Sequence, residues 1–185
     1  MAILKVARMG NPVLRQPSEP VTPEQIADPA FQGFCDSLLE TMHEYDGAGL
    51  AAPQVHTLLR VVVLTLQDEP EFFVNPVIEV LTDEQQLEWE GCLSVPGMRG
   101  LVPRPNHIRV SALDRDGTPK AYELKGFPAV VVQHECDHLD GVLYVDRVIP
   151  ESLAFVEEFR RYGPVFDFEG ELDEDPDTLE PEEVN

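Results

Sequence analysis

The sequence predicts an α+β domain with mostly antiparallel sheet. Three observations carry that reading: an early amphipathic helix, a long middle region of β-branched runs separated by turn signals, and further helices only after those runs. The order is not an alternation of strand and helix. The first helix opens at Asp28-Pro29, an N-cap followed by proline at the first helical position. Phe31, Phe34, Cys35, Leu38, Leu39, Met42 and Tyr45 then recur at steps of three and four, one apolar face of a helix that Asp46-Gly47 ends. Before it, Thr22-Pro23-Glu24-Gln25 reads as a short capped turn. Strands are expected at residues 60–66, at 72–80 with an interruption at Asn75-Pro76, at 87–92, at 108–113 and at 121–125. Asp114-Arg115-Asp116-Gly117 is the turn between the last two. A second helix is expected at 128–139, apolar at Ala129, Val130, Val131 and Val132 and ended by Gly141, and a last one at 152–161.

The chain has 185 residues, enough for one domain, and 43% of them are hydrophobic, enough for one core. Lys and Arg number 13 against 35 Asp and Glu, a net charge of −22. That balance excludes nucleic acid as a direct partner, because phosphate backbones are bound by an excess of cations. No apolar run approaches a membrane span of roughly 18 residues. The N-terminal sequence lacks a long apolar stretch with a small-residue cleavage site, and is read as carrying no signal peptide. Three cysteines, Cys35, Cys92 and Cys136, do not form a disulfide framework. The charge is uneven. Residues 167–185 hold ten acids and no base, so they read as a solvated, disordered tail following a single domain at 1–166.

His134-Glu135-Cys136-Asp137-His138 is an HExxH stretch within the second helix. Positions i and i+4 share a helical face, so both imidazoles can reach one ion, and Glu135 stands where a general base beside a metal-bound water belongs. A catalytic site normally has three protein ligands. No histidine follows His138; Asp140 and Asp146 are downstream candidates, and Cys92, upstream, is a better one. A thiolate with two imidazoles suits iron(II), zinc, cobalt or nickel. Standing alone, Cys92 reads as a buried thiol at a strand end.

Three segments together resemble the peptide deformylase family of bacterial type: Gly47-Ala48-Gly49-Leu50-Ala51-Ala52-Pro53-Gln54, Glu90-Gly91-Cys92-Leu93-Ser94, and Gln133-His134-Glu135-Cys136-Asp137-His138-Leu139-Asp140-Gly141. The likeness extends over the body of the chain to about Val148 and does not include the acidic end. It implies sheets packed around a central metal-binding HExxH helix. It also implies removal of the N-formyl group from the formylmethionine that starts newly made proteins, with release of formate. By this resemblance Cys92, His134 and His138 hold one divalent ion, iron(II) first, with zinc, nickel or cobalt able to substitute. Glu135 is the proton carrier, and Gln54 and the Leu93 backbone N–H receive the oxyanion. Glu90 and Arg104 form a supporting ion pair. Ala48, Gly49, Gly91, Arg99, Phe127 and Val130 contact the substrate, although Phe127 and Val130 read equally well as core and Arg99 as a surface residue. The implied partners are formylated nascent peptides and the ribosome near its exit tunnel, and the implied state is a cytoplasmic monomer; an organellar form would read the same. Cys35 and Cys136 read as packing, and His43, His56 and His107 carry no signal. Two other readings are an HExxH peptidase and a non-catalytic binding protein on the same fold. The first wants a histidine ligand after His138. The second would most simply have lost Glu135, Gln54 or a ligand.

Overall fold

The computed structural model describes residues 2–164; the acidic segment 167–185 lies outside them. A capping box at Thr22 opens α1 (Pro23–Ile26). Asp28 caps α2 (Pro29–Glu44) by accepting from the Ala30 N–H at 2.8 Å. Its stripe of Phe31, Cys35, Leu38 and Met42 is buried. The helix stops with the Asp46 N–H on the His43 carbonyl and the Gly47 N–H on the Met42 carbonyl. Asp46, at φ 55°, takes the left-handed position usually given to glycine.

Five strands, β1 (Gly49–Ala51), β2 (Val61–Leu66), β3 (Glu69–Val80), β6 (His107–Leu113) and β7 (Pro119–Lys125), pair antiparallel in that spatial order. In the middle of this sheet β2 is apolar on both faces. Val61 and Val63 join α2 in one core, while Val62 and Leu64 join α3 (Phe127–Leu139) in another. A second sheet holds β4 (Gln85–Cys92), β5 (Val95–Pro105) and β8 (Ala154–Phe155). Helix α3 lies against both sheets and is buried on nearly every side. This HExxH helix, apolar against the five-stranded sheet on one side and facing buried polar groups on another, is thus the centre of the domain. No described helix is long and apolar enough to cross a membrane.

Three departures from the sequence reading have local causes. Strand β5 was not expected, since Pro96, Pro103 and Pro105 punctuate it. It pairs fully along one side with β4 and only at Met98 and Arg99 with β8, so most of its other side asks for no N–H donors. The expected helix at 152–161 begins later, as α4 (Val156–Tyr162). Ser152 is held in a tight turn, accepting from the Leu101 N–H at 2.8 Å and donating to the Ile149 carbonyl at 2.7 Å. The next residues, Ala154 and Phe155, are taken up as β8. The interruption at Asn75-Pro76 is a register shift within β3, not a break.

Asn75 also ties the N-terminal segment to this sheet. It sits at φ 54°, and its amide accepts from the Val21 N–H and donates to the Val21 carbonyl, both at 2.8 Å. Asn75→Ala removes both bonds and leaves a β-carbon in left-handed backbone without a compensating side-chain bond. The expected loss is about 2–3 kcal/mol of unfolding free energy in a urea titration.

Candidate metal centre and cleft

Two elements bring the donors together. The i, i+4 spacing on α3 puts the rings of His134 and His138 edge to face with centroids 5.1 Å apart. The end of β4 brings in Cys92, whose Sγ lies 3.3 Å from His138 Nε2. One ligand atom from each of the three residues falls within 4.8 Å of the others. Asp140 and Asp146, the alternative donors, are turned away, paired with Arg60 at 2.6 Å and with Arg15.

A chain of buried charge stands behind this triad. His134 Nδ1 donates to Glu90 Oε2 at 2.7 Å, which aims Nε2 at the other donors. Arg104 clasps Glu90 with two bonds, Nε to Oε1 at 2.7 Å and Nη2 to Oε2 at 2.9 Å. Its remaining nitrogen reaches Asp137 at 2.5 Å. Asp137 in turn accepts two bonds from Arg147, at 2.7 and 2.8 Å. The Glu90 and Arg104 side chains are each only 4% exposed. Burial alone would raise the Glu90 pKa; the Arg104 and His134 contacts outweigh it and hold the carboxyl below its ordinary range.

The donor set fits a divalent cation. Burial pushes His138 well below its usual pKa, with the His134 and Arg104 charges adding to it, so its ring is neutral and free to ligate. Burial would also push His134 down, yet contacts with Cys92 and Glu90 overturn it and draw positive charge to that place. A bound cation answers the same demand.

Cys92 and His134 open on a cleft of about 770 Å³ also lined by Gln54, Gly91, Leu93, Arg99, Phe127, Val130 and Glu135, together with Gly47, Ala48 and Gly49; His138 lies behind them. Phe127 is half exposed on its rim, whereas Val130 is buried at its wall. Arg104 lies behind the centre and does not line the cleft. Gln54 is fixed by accepting from the Ala51 N–H at 2.8 Å. Its Nε2 donates to Ser94 Oγ at 3.2 Å, with Cys92 Sγ at 3.6 Å. Glu135 is buried, and among the described residues its Oε2 has no hydrogen-bond partner. Burial pushes its pKa up to about 7, with the Glu90 charge adding to the shift and His134 opposing it. A β-carbon added at Gly49 would stand 2.7 Å from Glu135 Oε1, so only glycine leaves room for that carboxyl.

Several contributors are absent from the sequence reading. Asp137, inside the HExxH stretch, and Arg147 complete the charge relay. Tyr144 stacks on His134 at 6.1 Å, and burial, with the nearby Cys92 and Glu90, pushes its phenol up to about 12. Trp89, Val156 and Arg160 add an outer wall to the cleft. Only Asp137 carried a signal, its place on the face of α3 next to the ligand face. The other two cysteines pack in cores, Cys35 beside Leu38 and Met42, Cys136 beside Val132 and Leu139.

A buried carboxyl on the central helix of an α+β fold, beside two histidines of that helix and a cysteine from a strand end, is the arrangement of a metallohydrolase of the HExxH kind. Comparison with known proteins narrows the class. The polypeptide deformylase family model matches residues 3–153. A peptide deformylase of Leptospira biflexa is 41% identical over 179 residues, covering 90% of this chain and all of the relative. One of Pseudomonas aeruginosa is 46% identical over 149 residues, 79% of this chain and 87% of the relative. Among solved structures, the Thermotoga maritima peptide deformylase aligns with a TM-score of 0.77 at 37% identity, covering 81% of this chain and all of that one. A Synechococcus elongatus peptide deformylase in complex with actinonin aligns at 0.74 and 41% identity, over 78% of each chain. The chain belongs to the polypeptide deformylase family.

The accessibility of the three thiols yields a direct check on the centre. In native, metal-free protein an iodoacetamide reagent is expected to label Cys92 alone, once per chain by mass spectrometry. Cys35 and Cys136 should react only after unfolding, because burial pushes their thiols up to about 11 and about 12. A divalent ion added first should block the labelling of Cys92.

Proposed function

We infer that this protein is a metal-dependent hydrolase that removes the formyl group from the N-terminal formylmethionine of new protein chains. The observation that carries this reading is the buried Glu135 carboxyl, its Oε2 without a hydrogen-bond partner among the described residues, on the wall of the same cleft as Cys92 and His134 of the Cys92, His134 and His138 donor group. Those three residues would hold the ion, and iron(II) is the proposed resident, with zinc, nickel or cobalt as substitutes. When bound, a divalent ion at this place polarises the formyl carbonyl and makes an ionised water available near neutral pH.

The protein's own groups supply the remainder. Glu135 Oε2 accepts the proton of the attacking water and later delivers it to the departing amine nitrogen. A carboxyl raised to about 7 by burial can hold that proton between the two steps. Gln54 Nε2 keeps its bond to Ser94 and turns its second N–H from the long Cys92 contact toward the developing oxyanion. The Leu93 backbone N–H is the other proposed donor. Glu90 and Arg104 hold His134 in one tautomer and orientation. The apolar sides of Leu93 and Val130, with Phe127 at the rim, suit an unbranched methionine side chain, and Ala48, Gly49, Gly91 and Arg99 border the peptide backbone. The proposed setting is a monomer in a bacterial cytoplasm, meeting nascent chains at the ribosome. Its net negative charge leaves ribosomal proteins, not RNA, as the contact.

Formate release from a short N-formylmethionyl peptide by anaerobically prepared protein is the test. Glu135→Gln should lower kcat by about 100-fold or more with the fold unchanged by circular dichroism. Gly49→Ala, which leaves every ionisable group in place, should also cost about 100-fold by displacing the carboxyl. A folded, metal-loaded wild type that released no formate would overturn the reading. Chelation should abolish activity, and iron(II), nickel or zinc should restore it. In air the iron form should lose activity faster than the nickel form, since thiolate-bound iron(II) and Cys92 itself are both oxidisable; equal half-lives would exclude this.

A further inference from the structure

Beyond the centre the cleft runs outward between the β4–β5 hairpin and α4. Helix α4 is anchored there by an aromatic contact: Phe159 packs on Trp89 with ring centroids 4.6 Å apart, and the Arg99 guanidinium lies 4.6 Å from the Phe159 ring centroid. Val156 and Arg160, four positions apart on one face of α4, both line the cleft. Arg160 is exposed, and among the described residues no hydrogen bond or ion pair engages it. Its neighbour Arg161 lies over Tyr162, with Glu158 at 3.7 Å, and does not line the cleft.

The spacing along β4 gives a scale. From Cys92, at the metal centre, back to Trp89 and Glu88 on the outer wall is three to four residues of extended chain, about 10–13 Å. An extended peptide with its formyl end at Cys92 advances by the same rise per residue. Laid alongside β4 toward Trp89, it brings the side chains about three to four residues in level with the ring on which α4 packs. The cleft also holds acids: Asp46 stands beside Gly47 on the far wall, and Glu88 on β4 is engaged within the protein. Among the described residues, two arginines line the cleft; Arg99 is engaged within the protein, and Arg160 is left to meet a charged substrate side chain.

We propose that Arg160 on α4 is a specificity-determining residue that favours acidic side chains at the third and fourth positions of the formylated peptide. The proposal rests on the deformylase reading above. The favoured charge sits on the substrate and the interaction is solvent-exposed, so the preference is modest and screened by salt.

The test is kcat/KM for formate release from C-terminally amidated formyl-Met-Ala peptides carrying Asp, Ala or Lys at positions three and four, at low ionic strength. In the wild type the Asp peptide should exceed the Lys peptide by about two- to fivefold. The ratio should fall to near one in Arg160→Ala and drop below one in Arg160→Glu. It should survive in Arg160→Lys and in Arg161→Ala, and shrink in high salt for the wild type. Because each ratio is taken within one enzyme, general loss of activity does not mimic the effect. Formate release with the same Asp-to-Lys ratio in the wild type and Arg160→Glu overturns this proposal alone. No formate from any peptide overturns the underlying reading with it.

Discussion

The two-point clasp of Arg104 on Glu90 is the interaction on which the rest of the centre depends. Glu90 is almost fully buried, and an unpaired carboxylate there would be costly. Arg104 makes it an anion that can be kept, and the anion then fixes His134 through Nδ1 at 2.7 Å. The clasp joins adjacent strands, since Glu90 on β4 and Arg104 on β5 belong to one hairpin. Through Asp137 the same arginine reaches α3, and through Arg147 the segment that follows it. Sheet, helix and downstream loop are thereby set in one register before any ion is considered. Removing either partner would leave a buried charge alone, the costly half of any buried ion pair.

A second constraint is room. Glu135 faces β1, and the strand can pass only because residue 49 has no side chain. The close approach has a chemical consequence. Backbone and apolar side chains crowd the carboxyl, strip it of water and raise its pKa to about 7. The same steric fact that requires glycine therefore tunes the group proposed to shuttle the proton. Packing and reactivity are not separable at this position.

Much of this was legible in the sequence. The apolar face of α2, except Tyr45 at its end, which is exposed, the period-two burial of β6 and the i, i+4 histidines follow from spacing alone. Donor chemistry already favoured Cys92 over Asp140 or Asp146, and the family resemblance strengthened it; spacing alone does not say that a distant strand end returns to the helix. Strand β5 was hidden by its prolines, which only an incompletely paired side tolerates. The start of α4 was hidden by Ser152, whose bonds to Leu101 and Ile149 are long-range or turn-specific and leave no periodic trace. Arg147 and Trp89 act through partners distant in sequence, so composition and period could not reveal them.

The relay also explains how an acidic protein can keep a site that accepts a cation without filling it with protons. Cys92, Glu90 and Glu135 are all potential anions around His134. If all were left to titrate freely, the buried site would relieve its charge by protonation, and protons would compete with any metal. Arg104 neutralises Glu90 on the side away from the cleft, so that carboxylate acts as an acceptor for His134 rather than as a competing ligand. Burial holds His138 neutral and raises the Glu135 carboxyl to about 7. The donors gathered at the centre are then one sulfur and two ring nitrogens, a softer set than the carboxylates that crowd the surface. Charge is thus sorted by depth: acids dominate the exterior, an arginine–carboxylate pair lies behind the centre, and nitrogen and sulfur stand at its face.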